Sequence, residues 1–155
     1  MDGIDFVEIR RYLEKTQVQM ARLLGVSLKA VQSFEQGWRS VPAHIERQML
    51  FLLYLKRVPP VGIGPCWDRR NCLPEMREEC VAWEMQAGQL CWFVNGTVCE
   101  GRAQESWEEK MRLCRQCEVF RTLIPTSAWT NSAEPAQKDH IQGLGDRVAG
   151  SSNGS

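Results

Sequence analysis

Seven cysteines lie between positions 66 and 117, in the runs CWDRRNC (66–72), CWFVNGTVC (91–99) and CRQC (114–117), with Cys80 between the first two. Cysteine sulfur can act as a nucleophile, a redox partner or a ligand for soft and borderline metal ions. An odd number of thiols cannot all pair as disulfides. The N-terminus MDGIDF is acidic and lacks the basic region that opens a signal peptide. The longest apolar run, MLFLLYL (49–55), is 7 residues, against the roughly 18 a membrane span needs. These features predict a cytoplasmic protein with no membrane partner, where thiols stay reduced and metal ligation is favoured over a disulfide framework. No residue stands out as catalytic, and the chain reads as a non-enzyme.

Spacing sharpens the metal reading. AQESWEEKMRLCRQCEVF (103–120) predicts one amphipathic helix, with Trp107, Met111 and Cys114 spaced by four and three and Cys117 three further on. Cys114 and Cys117 would then project from one helical face, able to share a zinc ion at about 2.3 Å per sulfur. Cys66, Cys72, Cys80, Cys91 and Cys99 complete a candidate ligand set for zinc or an iron–sulfur cluster. The spacing fits neither a standard finger nor a ferredoxin run, so it leaves the choice open. Two other readings compete. Some cysteines can be buried packing residues. CRQC can be a redox pair, although that motif opens a helix and here the helix is already three turns old.

In CWFVNGTVC, Asn95-Gly96 between β-formers predicts a two-residue hairpin turn. Val94 would pair with Thr97, Phe93 with Val98, Trp92 with Cys99, and Cys91 with Glu100. Alternation then sends Cys91 and Cys99 to opposite faces, which makes them poor joint ligands of one ion. The tryptophans read as core anchors whose N–H groups find acceptors.

Something must carry this module, and the chain divides accordingly. Residues 1–57 show helical apolar spacing with start and stop signals, and VPPVGIGP (58–65) breaks regular structure. Residues 66–121 hold all seven cysteines and four of the six tryptophans. Residues 122–155 turn to Ser, Gly, Thr, Ala and Pro, a composition that predicts a disordered tail. Whole-chain charge cancels at nineteen against nineteen, but the first 57 residues hold nine Lys/Arg against six Asp/Glu. His44 and His140 have no motif around them. The fold class predicted is α+β: an all-α head, a small cysteine-rich module with a β-hairpin and one helix, and a tail.

Within the head, Phe6, Ile9 and Leu13 share one helical face. Thr16 caps a second helix, QVQMARLL, that stops at Gly25. Ser27 caps a third, LKAVQSFEQ, with Val31 and Phe34 inward, and Gly37 closes it. Two short helices joined by a Gly-containing turn form a helix-turn-helix unit. Pro42 opens a fourth helix whose MLFLLYL stretch is apolar nearly all round, which suggests a dimer or inter-domain contact.

TQVQMARLLGVSLKAVQSFEQGWRSVP resembles the Cro/repressor-type (XRE) helix-turn-helix family over about residues 6–57, matching at Thr16, Gln17, Ala21, Gly25, Val26, Ser27, Val31, Glu35 and Gly37. The resemblance implies an all-α DNA-binding domain, often dimeric. In that docking mode the start of the third helix enters the major groove. Ser27, Leu28, Lys29, Gln32 and Ser33 are then the candidates at base edges: Lys29 for guanine, Gln32 for adenine, Leu28 for a thymine methyl. Gln17 and Arg39 would hold phosphates. Glu35 reads as structural, since a carboxylate repels phosphate.

Cys66, Trp67, Cys72, Cys80, Cys91, Trp92, Gly96, Thr97, Cys99, Lys110, Cys114 and Cys117 resemble a small cysteine-rich domain of bacterial and archaeal regulators and sensors, described by its two Cys-Trp pairs. That resemblance implies a sensory module and does not identify its ligand. The two halves together predict a homodimeric regulator of transcription that binds double-stranded DNA and senses metal or redox state. A thiol-dependent redox or metal-handling protein, and an adapter whose helical head docks protein, are the alternatives.

Overall fold

The computed structural model describes residues 1–57 and 62–128. Asp2 accepts a hydrogen bond from Asp5 N (2.8 Å) and opens α1 (Gly3–Tyr12). Thr16 and Gln19 form a reciprocal capping box at the start of α2 (Gln17–Leu24), which Gly25 stops in the left-handed conformation. Ser27 accepts from Ala30 N and opens α3 (Leu28–Glu35). Phe6, Ile9, Leu13, Val31 and Phe34 are buried in this part of the core, as their spacing predicts, and Met20 and Leu24 join them. Arg10 clamps the arrangement by pairing with Glu35 through two nitrogens. Glu35 is therefore structural.

The long helix α4 (Ala43–Arg57) joins the head to everything that follows. Ile45, Met49, Leu50 and Leu53 are buried in a core that continues into the cysteine-rich segment. Beside that stripe, Phe51 meets Phe93 at 5.5 Å between ring centroids and Tyr54 meets Trp92 at 6.1 Å. The helix is apolar on several sides because two sets of side chains cover it within one chain.

The cysteine-rich segment is more helical than its composition suggests. Pro65 precedes α5 (Cys66–Arg69), Pro74 is the first residue of α6 (Pro74–Glu78), and α7 (Val81–Glu84) follows Cys80. The molecule is thus mostly helical, with one antiparallel pair formed by β1 (Val98–Cys99) and β2 (Arg102–Ala103).

Three local expectations change. The hairpin turn is Glu100-Gly101, both at positive φ (55° and 80°), pairing Val98 with Ala103 and Cys99 with Arg102. Residues 91–93 turn instead of forming a strand, because Trp92 is wholly buried, its ring packed on Tyr54, Phe93 and Phe120 and its Nε1 donating to Gln89 O. Burial of one large aromatic outweighs a local turn preference. The helix expected over 103–120 is two: α8 (Trp107–Cys114), capped by Ser106, and α9 (Glu118–Leu123), with Cys117 extended between them. That break turns Val119, Phe120 and Leu123 back into the core. Finally, residues 122–128 are ordered. Leu123 and Ile124 are fully buried, and a 3-10 turn (Thr126–Ala128) packs near α1. Residues 129–155, where the rest of the expected disordered tail falls, lie outside the described residues.

Trp92→Ala is expected to cost about 3–5 kcal/mol in chemical denaturation. Trp38→Ala, at a site 80% exposed, is expected to stay within about 0.5 kcal/mol of the parent.

Candidate functional sites

The first site is the outer face of α3. Leu28 (39% exposed), Lys29 and Gln32 lie on it in the open, with Ser27 at its mouth. Ser33 is half-buried and donates its hydroxyl to Lys29 O at 2.8 Å, which leaves its lone pairs outward. Arg39 is exposed, its guanidinium 5.8 Å from the Phe34 ring. Gln17 is the exception: its amide donates to Glu35 Oε2 at 2.7 Å. Between Thr16 and Pro42 the charged residues are Arg22, Lys29, Glu35 and Arg39, and the one acid is neutralised by Arg10. This face therefore presents only positive charge.

Sequence reasoning passed over Trp38, which stands beside Arg39. Its only signal was a tryptophan directly after Gly37, in the turn that closes the third helix.

The second site is a cavity of about 380 Å³. Cys66 of α5, Cys72, Cys80, Cys91, Cys99 of β1, Cys114 of α8 and Cys117 all line it. Cys91 and Cys99 thus share one space, the reverse of the expectation from an Asn95-Gly96 hairpin. The displaced turn is the cause, since Cys91 no longer lies on a strand. Among the described residues, no three His, Cys, Asp or Glu side chains are grouped tightly enough to hold a single ion as they stand. The thiols surround a space instead of meeting at a point. Trp67 and Trp83 wall one side, edge to face at 4.9 Å.

Burial sets the electrostatics. It pushes the Cys72 and Cys99 thiols up and carries Cys114 to about 12. Cys66 and Cys91 hydrogen-bond to each other, which lowers Cys66 and, together with burial, raises Cys91 well above the usual thiol value. Thiols raised this far are protonated at neutral pH, so any metal must displace their protons.

Lys110 belongs to this site and was read only as part of a pattern. It is 1% exposed, lines the cavity, and donates from Nζ to Thr97 Oγ1 at 2.6 Å. The signal was in the sequence: Lys110 is three residues after Trp107 and four before Cys114, on the stripe that faces the core.

Arg115 was missed as well. It sits inside CRQC, and its guanidinium reaches Glu46 of α4 at 3.2 Å and Asp5 of α1 at 3.7 Å. Glu46 is buried and also accepts from Trp107 Nε1 at 3.0 Å. The cysteine pair is thereby tied to two helices of the head.

No protein family matches the chain, and comparison with curated proteins and with solved structures finds none similar to it. Among the described residues no helix is long and apolar enough to cross a membrane.

The two acids that hold Arg115 behave differently. Asp5 is pushed above its usual value, first by burial and then by Asp2, with Arg115 offsetting part of this, and its Oδ1 has no hydrogen-bond partner. A raised folded-state value means stability that is present at low pH and lost as pH rises through it. Asp5→Asn is therefore expected to equal or exceed the parent in stability at about pH 7, the advantage fading towards about pH 4. Glu46→Gln, which strips the charge from the better-placed partner, is expected to cost about 2 kcal/mol at neutral pH. Urea unfolding across that pH range reads both.

Proposed function

We propose that the chain is a cytoplasmic, sequence-specific DNA-binding regulator of transcription whose cysteine module binds a metal or an iron–sulfur cluster and senses metal or redox state. The observation that carries the DNA part is the outer face of α2 and α3. Its exposed charges, Arg22, Lys29 and Arg39, are all basic, it exposes Lys29, Gln32 and Leu28 together, and its one acid is consumed internally. Read as a helix-turn-helix, α3 is the recognition helix. Lys29 and Gln32 meet base edges, Leu28 offers apolar contact, and Arg39 holds a phosphate. The resemblance of residues 6–57 to the XRE family supports the same assignment.

Sensing is supported by the position of Arg115. Ligation or oxidation at Cys114 and Cys117 moves the short linker between α8 and α9, and Arg115 with it. Its partners are on α4 and α1, so the head feels the change. The protein acts as a homodimer, its two heads spaced against half-sites about 34 Å apart.

A mobility-shift selection on randomised duplexes at low salt tests the reading. Binding to a limited set of sequences is expected. Arg39→Ala is expected to weaken all of them and reduce the salt slope by about 0.9. Lys29→Ala and Gln32→Ala are each expected to relax one base position at a cost of about 1–3 kcal/mol. No shift on any duplex would sink the regulator reading.

A further inference from the structure

The occupant of the cysteine cavity can be described further than "metal", on the footing of the reading just given. Three observations converge. All seven thiols line one space, whereas a tetrahedral ion takes four ligands. The space is about 380 Å³, an order of magnitude above the roughly 30 Å³ that a water occupies in the liquid. Sulfurs arranged around a volume fit an occupant of several atoms.

The third observation is a charge. Lys110 is buried on the cavity wall, and among the described residues it has no carboxylate partner; Thr97 Oγ1 alone accepts from it. A buried ammonium with a single neutral acceptor is costly unless an anion lies nearby. The remaining wall is thiols, aromatic and aliphatic side chains, amides and the two partly exposed guanidinium groups of Arg70 and Arg77, which face Glu100 and Asp68 at 3.9 Å each; Glu100, exposed at the rim, is the carboxylate among the lining residues. The anion Lys110 faces must come from the thiols once they are deprotonated and from whatever they hold.

We infer that the cavity holds an anionic polynuclear metal–thiolate centre, with Lys110 as its buried counter-charge. Metal ions enter from solution, with inorganic sulfide where the centre is an iron–sulfur cluster. Each thiol that becomes a ligand releases one proton to solvent as its sulfur–metal bond forms. The surplus negative charge of the thiolates is balanced in part by Lys110 across the cavity. Zinc–thiolate and iron–sulfur centres share this chemistry.

The test uses the full chain purified without oxygen. Metal ions and acid-labile sulfide are counted per chain, then the metal-free protein is titrated with zinc alone and with ferrous iron plus sulfide. More than one metal ion per chain is expected; iron with sulfide identifies one source, several zinc ions without sulfide the other. A single ion per chain in every arm overturns the polynuclear centre while leaving a sensing module in place, and no ion in any arm removes both. DNA binding measured on the same samples separates failure of the head from failure of the centre. Lys110→Met removes the charge at similar length, and Lys110→Gln removes it while keeping an amide for Thr97. Both are expected to weaken metal loading by about tenfold or more, and the metal-free variants to melt no lower than the metal-free parent. Unchanged loading, or metal-free variants that melt below the parent, would show Lys110 to be a packing residue and overturn its role.

Discussion

A carboxylate buried where two sets of helices meet has to be answered from both, and Glu46 is. It projects from α4, accepts from the Met1 amine of the head at 3.2 Å and from Trp107 at the start of α8, and pairs with Arg115 just past the end of α8. Leaving it unanswered costs more than the pair gains, because a desolvated charge without a partner is the expensive state. The head and the module are thus fixed to each other by polar geometry as well as by apolar area. Aromatic contacts from Phe51 and Tyr54 supply the area, and Glu46 supplies the register. Apolar contact alone tolerates sliding; a shared acceptor at about 3 Å from three donors does not.

The same logic, left incomplete, defines the cavity. Six half-buried cysteines, the buried Cys114 and a buried ammonium are given little protein to bind among the described residues: one thiol–thiol hydrogen bond, Thr97 for Lys110, and Thr97 for Cys99 at 3.8 Å. Thr97 answers both and is itself buried. A fold serves no structural purpose by gathering groups that repel or fail to satisfy one another. Their association makes physical sense as the lining of a site whose balance of charge is completed by its contents.

What the sequence disclosed follows from how local each signal was. The caps at Thr16 and Ser27 and the stop at Gly25 act over one helical turn, so α2 and α3 were legible to within a residue or two, while α1 was legible as an apolar face whose start at Asp2 was not read. The Asn95-Gly96 turn signal was equally local, but it competed with Trp92, whose partners are up to 38 residues upstream on α4 and 28 downstream on α9, and the distant contacts won. That the cysteines belong to one segment was readable from the sequence; which of them share a space was not, because that depends on where the chain turns. Lys110 and Arg115 show both cases. Lys110 stood on a core-facing stripe and could have been found by asking what a lysine does there. Arg115 could not, since Asp5 and Glu46 are 110 and 69 positions away.

Whether the proposed loading of the cavity can reach α3, the proposed recognition helix, is a question of magnitudes. A ligand present at about a hundred times its dissociation constant stabilises the state it binds by about 2.7 kcal/mol. The link between Arg115 and Glu46 is worth about 2 kcal/mol on the same scale. The two are comparable, so the module can be reorganised by its ligand without the ligand being exceptionally tight. The reorganisation also cannot be absorbed silently, because Arg115 lies between two of the lining cysteines and the polar contact it makes is the one that sets register. Any shift of Cys114 relative to Cys117 alters either that contact or the position of α4 beneath it. α4 in turn is packed to α2, and α2 to α3, within the core shared with the cavity wall. A path of packed helices, entered through Arg115 and through the contacts of Trp92, Phe93 and Trp107 with α4, leads from the thiols to the outer face of α3.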